Sequence, residues 1–284
     1  MSNRKGLSLI ELLVVIFILG LLVAILIPPI GSSKPIARRL VCGTNAKGLG
    51  ISMYVYANDY DDKLPVQGAG TRQWGETTTG WDNPGNEWPG GEGSITVASS
   101  LYLLVREADV GFGAFVCLSS DETEYENKTG HDLTKLWDFG GDPSKHVSYA
   151  YHFPYGEFTV SATSNAGNAV LADRNPWYDD KLTRSSIDKA GKYTFKDKVS
   201  LIDNTDDSDW KKQIGNSQPH DREGQNVLYV DGHVEFLKSS DVGVDGDNIY
   251  TIGGETEKER RIGKAPAGRD IDAANETDSL LVND

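Results

Sequence analysis

Glu11 is the only charge in the run LSLIELLVVIFILGLLVAILI at residues 7–27. A carboxylate inside an apolar helix costs about 2.5–3.5 kcal/mol on insertion scales, so such a residue usually has a partner or a task. Its place one helical turn from Leu7 would soften that cost at the level of lipid headgroups. Far along the chain His220, Asp231 and His233, with Asp173, are ligand types that can hold zinc or another divalent ion. No H-E-x-x-H or similar spaced set accompanies them, and neither a G-x-S-x-G nor a P-loop occurs. A membrane-tethered, metal-dependent hydrolase would rest on those four residues alone. Residues 203–209 and 241–247 are acidic and rich in oxygen, a composition that suits Ca2+. Gly243 and Ile252, however, occupy places where an EF-hand loop needs oxygen ligands, and the plain reading is a solvated acidic loop. Trp74, Trp81 and Trp88 lie in a Gly-rich stretch, 66–94, without helical or strand period. Exposed, they would stack on a polysaccharide or a partner protein and make the chain a binding module; folded back, they would cover a sheet.

The chain that must position these groups has 284 residues, 38% of them hydrophobic, enough for one well-filled domain. Its formal net charge of −14 repels phosphate backbones, so no nucleic-acid partner is expected. Two cysteines are too few for a disulfide framework or a four-cysteine zinc centre. A mean hydropathy of −0.42 excludes a polytopic membrane protein but leaves room for one span. Residues 7–27 supply it, reaching about 31 Å as a helix, one bilayer core. A cleaved signal peptide fits poorly, because the run is long, carries Glu11 and ends in Pro28-Pro29 without a small-x-small site. An uncleaved anchor is the simpler alternative. The charges flanking the run, Arg4 and Lys5 before it and Lys34, Arg38 and Arg39 after it, do not set its orientation.

Beyond the prolines, Cys42, Ala46, Leu49, Met53, Tyr56 and Tyr60 recur at helical spacing, which predicts an amphipathic helix with a core-facing stripe ending near 58–65. Gly43, Gly48 and Gly50 each weaken it by up to about 1 kcal/mol, so burial must compensate. Short β-like runs follow at 112–117, 146–153, 158–161 and 169–172. The clearest unit is NVLYV-DG-HVEFL, a hairpin with Asp231-Gly232 as a two-residue type I′ turn. That pairing would place Val227, Tyr229, Val234 and Phe236 on one dry face. The fold class expected is α+β: a long N-terminal helix, half transmembrane and half amphipathic, packed on an antiparallel β-sheet. From residue 253 the chain is acidic and without aromatics, which predicts a flexible tail over 253–284.

Arg4-Lys5-Gly6-Leu7-Ser8-Leu9-Ile10-Glu11-Leu12-Leu13 resembles the cleavage and methylation motif of type IV prepilins and type II secretion pseudopilins. The resemblance implies a leader of residues 1–6, cleavage by a prepilin peptidase between Gly6 and Leu7, and methylation of the Leu7 amine. It further implies that Glu11 pairs with the amine of a neighbouring pilin-like subunit during assembly on an inner-membrane platform. The physics agrees: glycine leaves the scissile backbone open, and an amine beside Glu11 relieves the desolvation of both. Leu7 stands where Phe is commonest and Ser8 where Thr is usual, both mild departures. The family also places the N-terminus in the cytoplasm of a bacterial inner membrane, with residues 7–30 as a single span and 31–252 as a periplasmic or extracellular domain. Some type II pseudopilins bind calcium, which is the one cofactor the resemblance suggests.

A second likeness lies at the other end. His220, then Gly224-Gln225-Asn226-Val227-Leu228-Tyr229-Val230-Asp231-Gly232-His233, is similar to the C-terminal motif of a prepilin-type group called H-x9-DG, whose domain has no assigned task. Here ten residues separate His220 from Asp231, and Leu118 stands where the group has Pro. The segment around Cys42 and Asn45 and the run Phe115-Val116-Cys117 match other segments of that group. An exported domain meets an oxidising compartment, and the likeness favours a disulfide between Cys42 and Cys117; two separately buried thiols are the alternative.

Overall fold

The computed structural model describes residues 8–68, 74–83, 93–178, 215–266, 268–269 and 271–284, with the backbone alone at 24–33. Helix α1 spans Leu9–Asp59, 51 residues, and passes through Pro28. Its second half carries the predicted stripe: Cys42, Ala46, Leu49 and Met53 are fully buried and Tyr56 nearly so, while Tyr60 just past the helix is 41% exposed. Helix α2, Val97–Ala108, packs beside it with an apolar face of Val97, Leu101, Leu104 and Val105.

Five strands complete the domain: β1 Tyr149–His152, β2 Ala169–Asp173, β3 Gln225–Tyr229, β4 Val234–Leu237 and β5 Leu281–Val282. They form one sheet in the order β4-β3-β2-β1-β5, antiparallel throughout. The architecture is therefore α+β, a long N-terminal helix laid on an antiparallel sheet. The glycines of α1 divide by task. A methyl group added at Gly50 would lie 2.8 Å from a methyl carbon of Leu228, and one at Gly43 would lie 2.9 Å from the Asn226 amide oxygen. Those two positions let α1 approach β3 closely, and the packing gained there offsets their weak helix propensity. Gly48 has open space around it.

Four expectations are corrected. The hairpin pairs Asn226 with Phe236 and Leu228 with Val234, one residue out of the predicted register. A type I′ turn needs positive φ at both central residues, and here only Gly232, at φ 80°, has it, so the loop is the three-residue Val230-Asp231-Gly232. A one-residue slip exchanges the faces, and Leu228 with Val234 now points at α1 while Val227 and Tyr229 point away. The second correction is that the sheet has no wet face at its centre: every residue of β1, β2 and β3 is buried. Ile249, Tyr250 and Trp177 cover the side away from α1, where Leu281 of β5 joins Val227 and Tyr229. Third, residues 112–115 form a 3-10 turn rather than a strand, and the run at 158–161 contributes only an isolated bridge from Ser161 to Lys63.

Last, the predicted flexible tail is packed. Glu257–Ile262 forms helix α3, opened by Thr256, and β5 joins the sheet edge beside β1. Leu280, Leu281 and Val282 are completely buried. Asp284, one of the acidic residues that suggested disorder, makes fixed contacts: it accepts hydrogen bonds from Trp74 Nε1 (2.6 Å), Val97 N (3.0 Å) and Ala98 N (2.7 Å). Its carboxylate thus sits on the N-terminus of α2, where unpaired amides favour an anion.

Candidate functional site

Two places gather the residues singled out by sequence. The first is the start of α1. Gly6 and Leu7 lie outside the described residues. Glu11 folds back on its own helix and accepts a hydrogen bond from the Ser8 backbone N–H (2.8 Å), as an N3 residue does in a capping box. Every apolar side chain at 9–19 and 21–23 is at least about half exposed, including Leu9 at 81% and Phe17 at 67%. Among the described residues no helix is long and apolar enough to cross a membrane.

The second place is buried. Cys42, on the inner face of α1, is joined to Cys117 by a disulfide with a Cα–Cα distance of 5.2 Å. His220 points at that pair from a turn in which His220, Asp221 and Arg222 all have positive φ (63°, 57° and 58°). Left-handed backbone costs roughly 1–2 kcal/mol per residue without glycine, so three in a row persist only where the surroundings impose them. Asn216 does part of that work: its Nδ2 donates to Arg222 O (3.1 Å) and to Lys238 O (2.8 Å), and Arg222 Nη1 donates back to Asn216 O (3.0 Å). The His220 ring packs edge-on against Phe236, whose face carries Arg39. Its Nε2 lies 3.5 Å from Cys117 Sγ, 3.4 Å from Asn226 Nδ2 and 3.5 Å from Asp173 Oδ2.

Asp173, at the end of β2, is completely buried. Its Oδ2 accepts from Asn226 N (2.7 Å) and Nδ2 (3.2 Å). Burial nevertheless pushes the carboxyl up to about 7, and it lowers the His220 imidazole to about 4 with help from Arg39. Both groups are thus neutral near pH 6. The sequence had named Asp173 only beside His220, Asp231 and His233. His220 and Asp173 do meet, but Asp231 and His233 sit exposed at the hairpin turn and pair with each other at 2.5 Å. The missing member was Asn226, which the sequence offers only as a polar residue of the β3 run inside the segment that resembles the C-terminal motif.

The remaining candidates resolve individually. Residues 203–209 and Trp88 lie outside the described residues. Trp74 is buried against Phe153 and Tyr178, which removes it as a stacking face, and Trp81 is half-buried against the core. In the acidic loop Asp241 is held by Arg261 (3.0 Å), whereas Asp247 turns inward and accepts from Ser279 N (3.0 Å). Asp278 accepts from Gly253 N and Ala274 N. Burial pushes Asp247 up to about 8, with the nearby Asp278 adding to it, and raises Asp278 to about 6.

Those raised values have a measurable consequence. A carboxyl whose folded pKa exceeds its unfolded one stabilises the fold most at low pH and loses that stabilisation as pH rises through the folded value. Buried His152 and His220, both lowered to about 4, act oppositely, mainly below their unfolded value near 6.5. Between pH 8 and 6.5 the carboxyls therefore dominate, and the thermal midpoint should rise on acidification, with Asp247 a main contributor. Asp247→Asn should flatten the trend. A midpoint that falls over that window, or an unaltered slope in the variant, would contradict the assignment.

Residues 1–27 match the family model of the prokaryotic N-terminal methylation motif. The chain carries a prepilin-type N-terminus. This match supports a type IV pilin-like or pseudopilin subunit, and the long helix on an antiparallel sheet is consistent with a pilin fold. The prepilin-type motif marks the chain as a substrate for a prepilin peptidase, implies assembly with other pilin-like subunits, and implies a membrane-anchored N-terminus. The match ends well before His220. No curated protein matches the chain, and no solved structure matches it.

Proposed function

We propose that the chain is a structural, non-enzymatic subunit of a type II secretion pseudopilus or a type IV pilus-like filament. Prepilin peptidase cuts between Gly6 and Leu7 and methylates the Leu7 amine. The subunit waits in the inner membrane with its N-terminus cytoplasmic and its domain periplasmic, and an assembly platform adds it to the filament. The observation that carries this reading is the prepilin-type motif joined to an apolar helical segment at 9–23 that none of the described residues covers. An exposed apolar surface of that extent marks contact with lipid or with another protein. The outer face of α1 continues it, with Ile36, Leu40, Ile51 and Val55 each more than half exposed. Glu11 then has a role that changes on assembly: its Ser8 contact gives way to a neighbouring subunit's methylated amine, which supplies the opposite charge that a carboxylate needs away from water.

Intact and peptide mass of the membrane-extracted protein tests the processing. The expected N-terminus is methylated Leu7; a chain that retains Met1 to Gly6 would leave an ordinary anchor. Glu11→Ala tests assembly. Insertion and cleavage should proceed normally while incorporation into sheared filaments drops about tenfold or more, and undiminished incorporation would count against the role.

A further inference from the structure

The cluster around His220 has a feature that the disulfide alone does not explain. The imidazole side chain is 1% exposed, yet among the described residues its Nε2 has no partner closer than 3.4 Å. A buried ring nitrogen with only such distant neighbours lacks a good hydrogen bond. Beside it Asp173 Oδ1 is also buried without a hydrogen-bond partner. The strained left-handed turn that delivers the ring is thus spent on a nitrogen aimed at two sulfurs and a carboxylate.

The spacing of those donors is informative. Bond lengths near 2.3 Å to sulfur and 2.0–2.1 Å to nitrogen or oxygen, at tetrahedral angles, put neighbouring ligand atoms on zinc about 3.3–3.8 Å apart, the sulfur pair being the widest. His220 Nε2 stands 3.5 Å from Cys117 Sγ and 3.5 Å from Asp173 Oδ2. The ligand atoms of Cys42, Cys117 and His220 all lie within 4.8 Å of one another, and all three residues are buried. Thiolate and imidazole together favour zinc over calcium or magnesium. We propose that, when the two cysteines are reduced, Cys42, Cys117 and His220 bind one zinc ion. The buried Asp173 carboxyl, 3.5 Å from His220 Nε2 and held by Asn226 through both its backbone and side-chain nitrogens, lies beside the site.

The disulfide and the zinc site exclude each other, because the same two sulfurs make both. A phosphine reductant connects them in the test tube: disulfide, phosphine and one water give two thiols and the phosphine oxide. Zinc then displaces one proton from each thiol. Oxidation by a disulfide-forming thiol oxidant removes two electrons, restores the S–S bond and releases the ion.

The test uses the full chain in detergent, reduced with such a phosphine, freed of reagent and given Zn2+ or, in parallel, Co2+. One zinc per reduced chain is expected after washing with a weak chelator, and none on the disulfide form. Cobalt should show thiolate charge-transfer absorption. His220→Gln should bind zinc at least about tenfold more weakly, and Cys42→Ser should abolish stoichiometric binding; near-UV circular dichroism of oxidised His220→Gln reports whether that variant folds. A reduced chain that takes up no zinc, folded or not, overturns the proposal. So does a cobalt spectrum without the thiolate band, or undiminished zinc affinity in His220→Gln.

Discussion

Removal of residues 279–284 is expected to prevent the domain from folding. Those six residues supply β5, and Leu280, Leu281 and Val282 are completely buried. At about 1.5–3 kcal/mol for each large apolar side chain, their loss approaches the entire stability of a typical domain. Polar contacts are lost with them. Asn283 Oδ1 accepts from Asn175 N (2.8 Å), and the Asp284 carboxylate holds the first amides of α2 and the Trp74 indole. The deletion also uncovers the edge of β1, an unpaired strand that invites association with other chains. Limited proteolysis and a thermal melt of the truncated protein decide the matter. A truncated chain as protease-resistant as the parent would mean that the segment is the loose extension its composition suggests. Leu281→Ala is the milder form, expected to lower stability by about 2–5 kcal/mol.

The second large effect is expected at the disulfide. Cys42 and Cys117 are 75 residues apart in sequence, and closing a loop of that size removes about 4 kcal/mol worth of freedom from the unfolded chain. The crosslink ties α1 to the segment that follows the 3-10 turn Phe112–Phe115, where Asn45 Nδ2 also donates to Val116 O (3.3 Å) and Tyr149 Oη donates to Cys42 O (3.2 Å). Cys117→Ser should therefore lower the thermal midpoint by about 10 °C, and phosphine reduction of the parent in metal-free buffer should lower it similarly. A change of only one or two degrees in both would show that the surrounding contacts hold α1 without the crosslink.

The hairpin and the tail show where reading the sequence stops being enough. NVLYV-DG-HVEFL identifies two antiparallel strands correctly, because alternation and a turn signal are local properties. Its register depends on Asp231, which could take positive φ in a type I′ turn but does not; a loop one residue longer exchanges the two faces. The packing of Leu228 against Gly50 holds the observed register, and that contact links residues 178 positions apart. In the tail, an acidic composition without aromatics carries no sign that Asp284 caps a helix begun at Val97 or that Leu281 completes a sheet. The left-handed turn at His220 was equally hidden, since none of its three residues is glycine.

The N-terminal processing motif, the apolar half of α1, the stripe of Cys42, Ala46, Leu49 and Met53, and the α+β class were all legible in the amino-acid order. Each follows from residue type at short, regular spacing, which the periods of a helix and a strand convert directly into faces. Tertiary structure alone decided the strand register, the two-sided burial of the sheet, the anchoring of residues 279–284, and the meeting of Cys42, Cys117, Asp173, Asn226 and His220. Those outcomes depend on shape and burial between segments far apart in the chain. There a buried carboxylate is tolerated only if distant amides come to it, and no local pattern of residues records that they will.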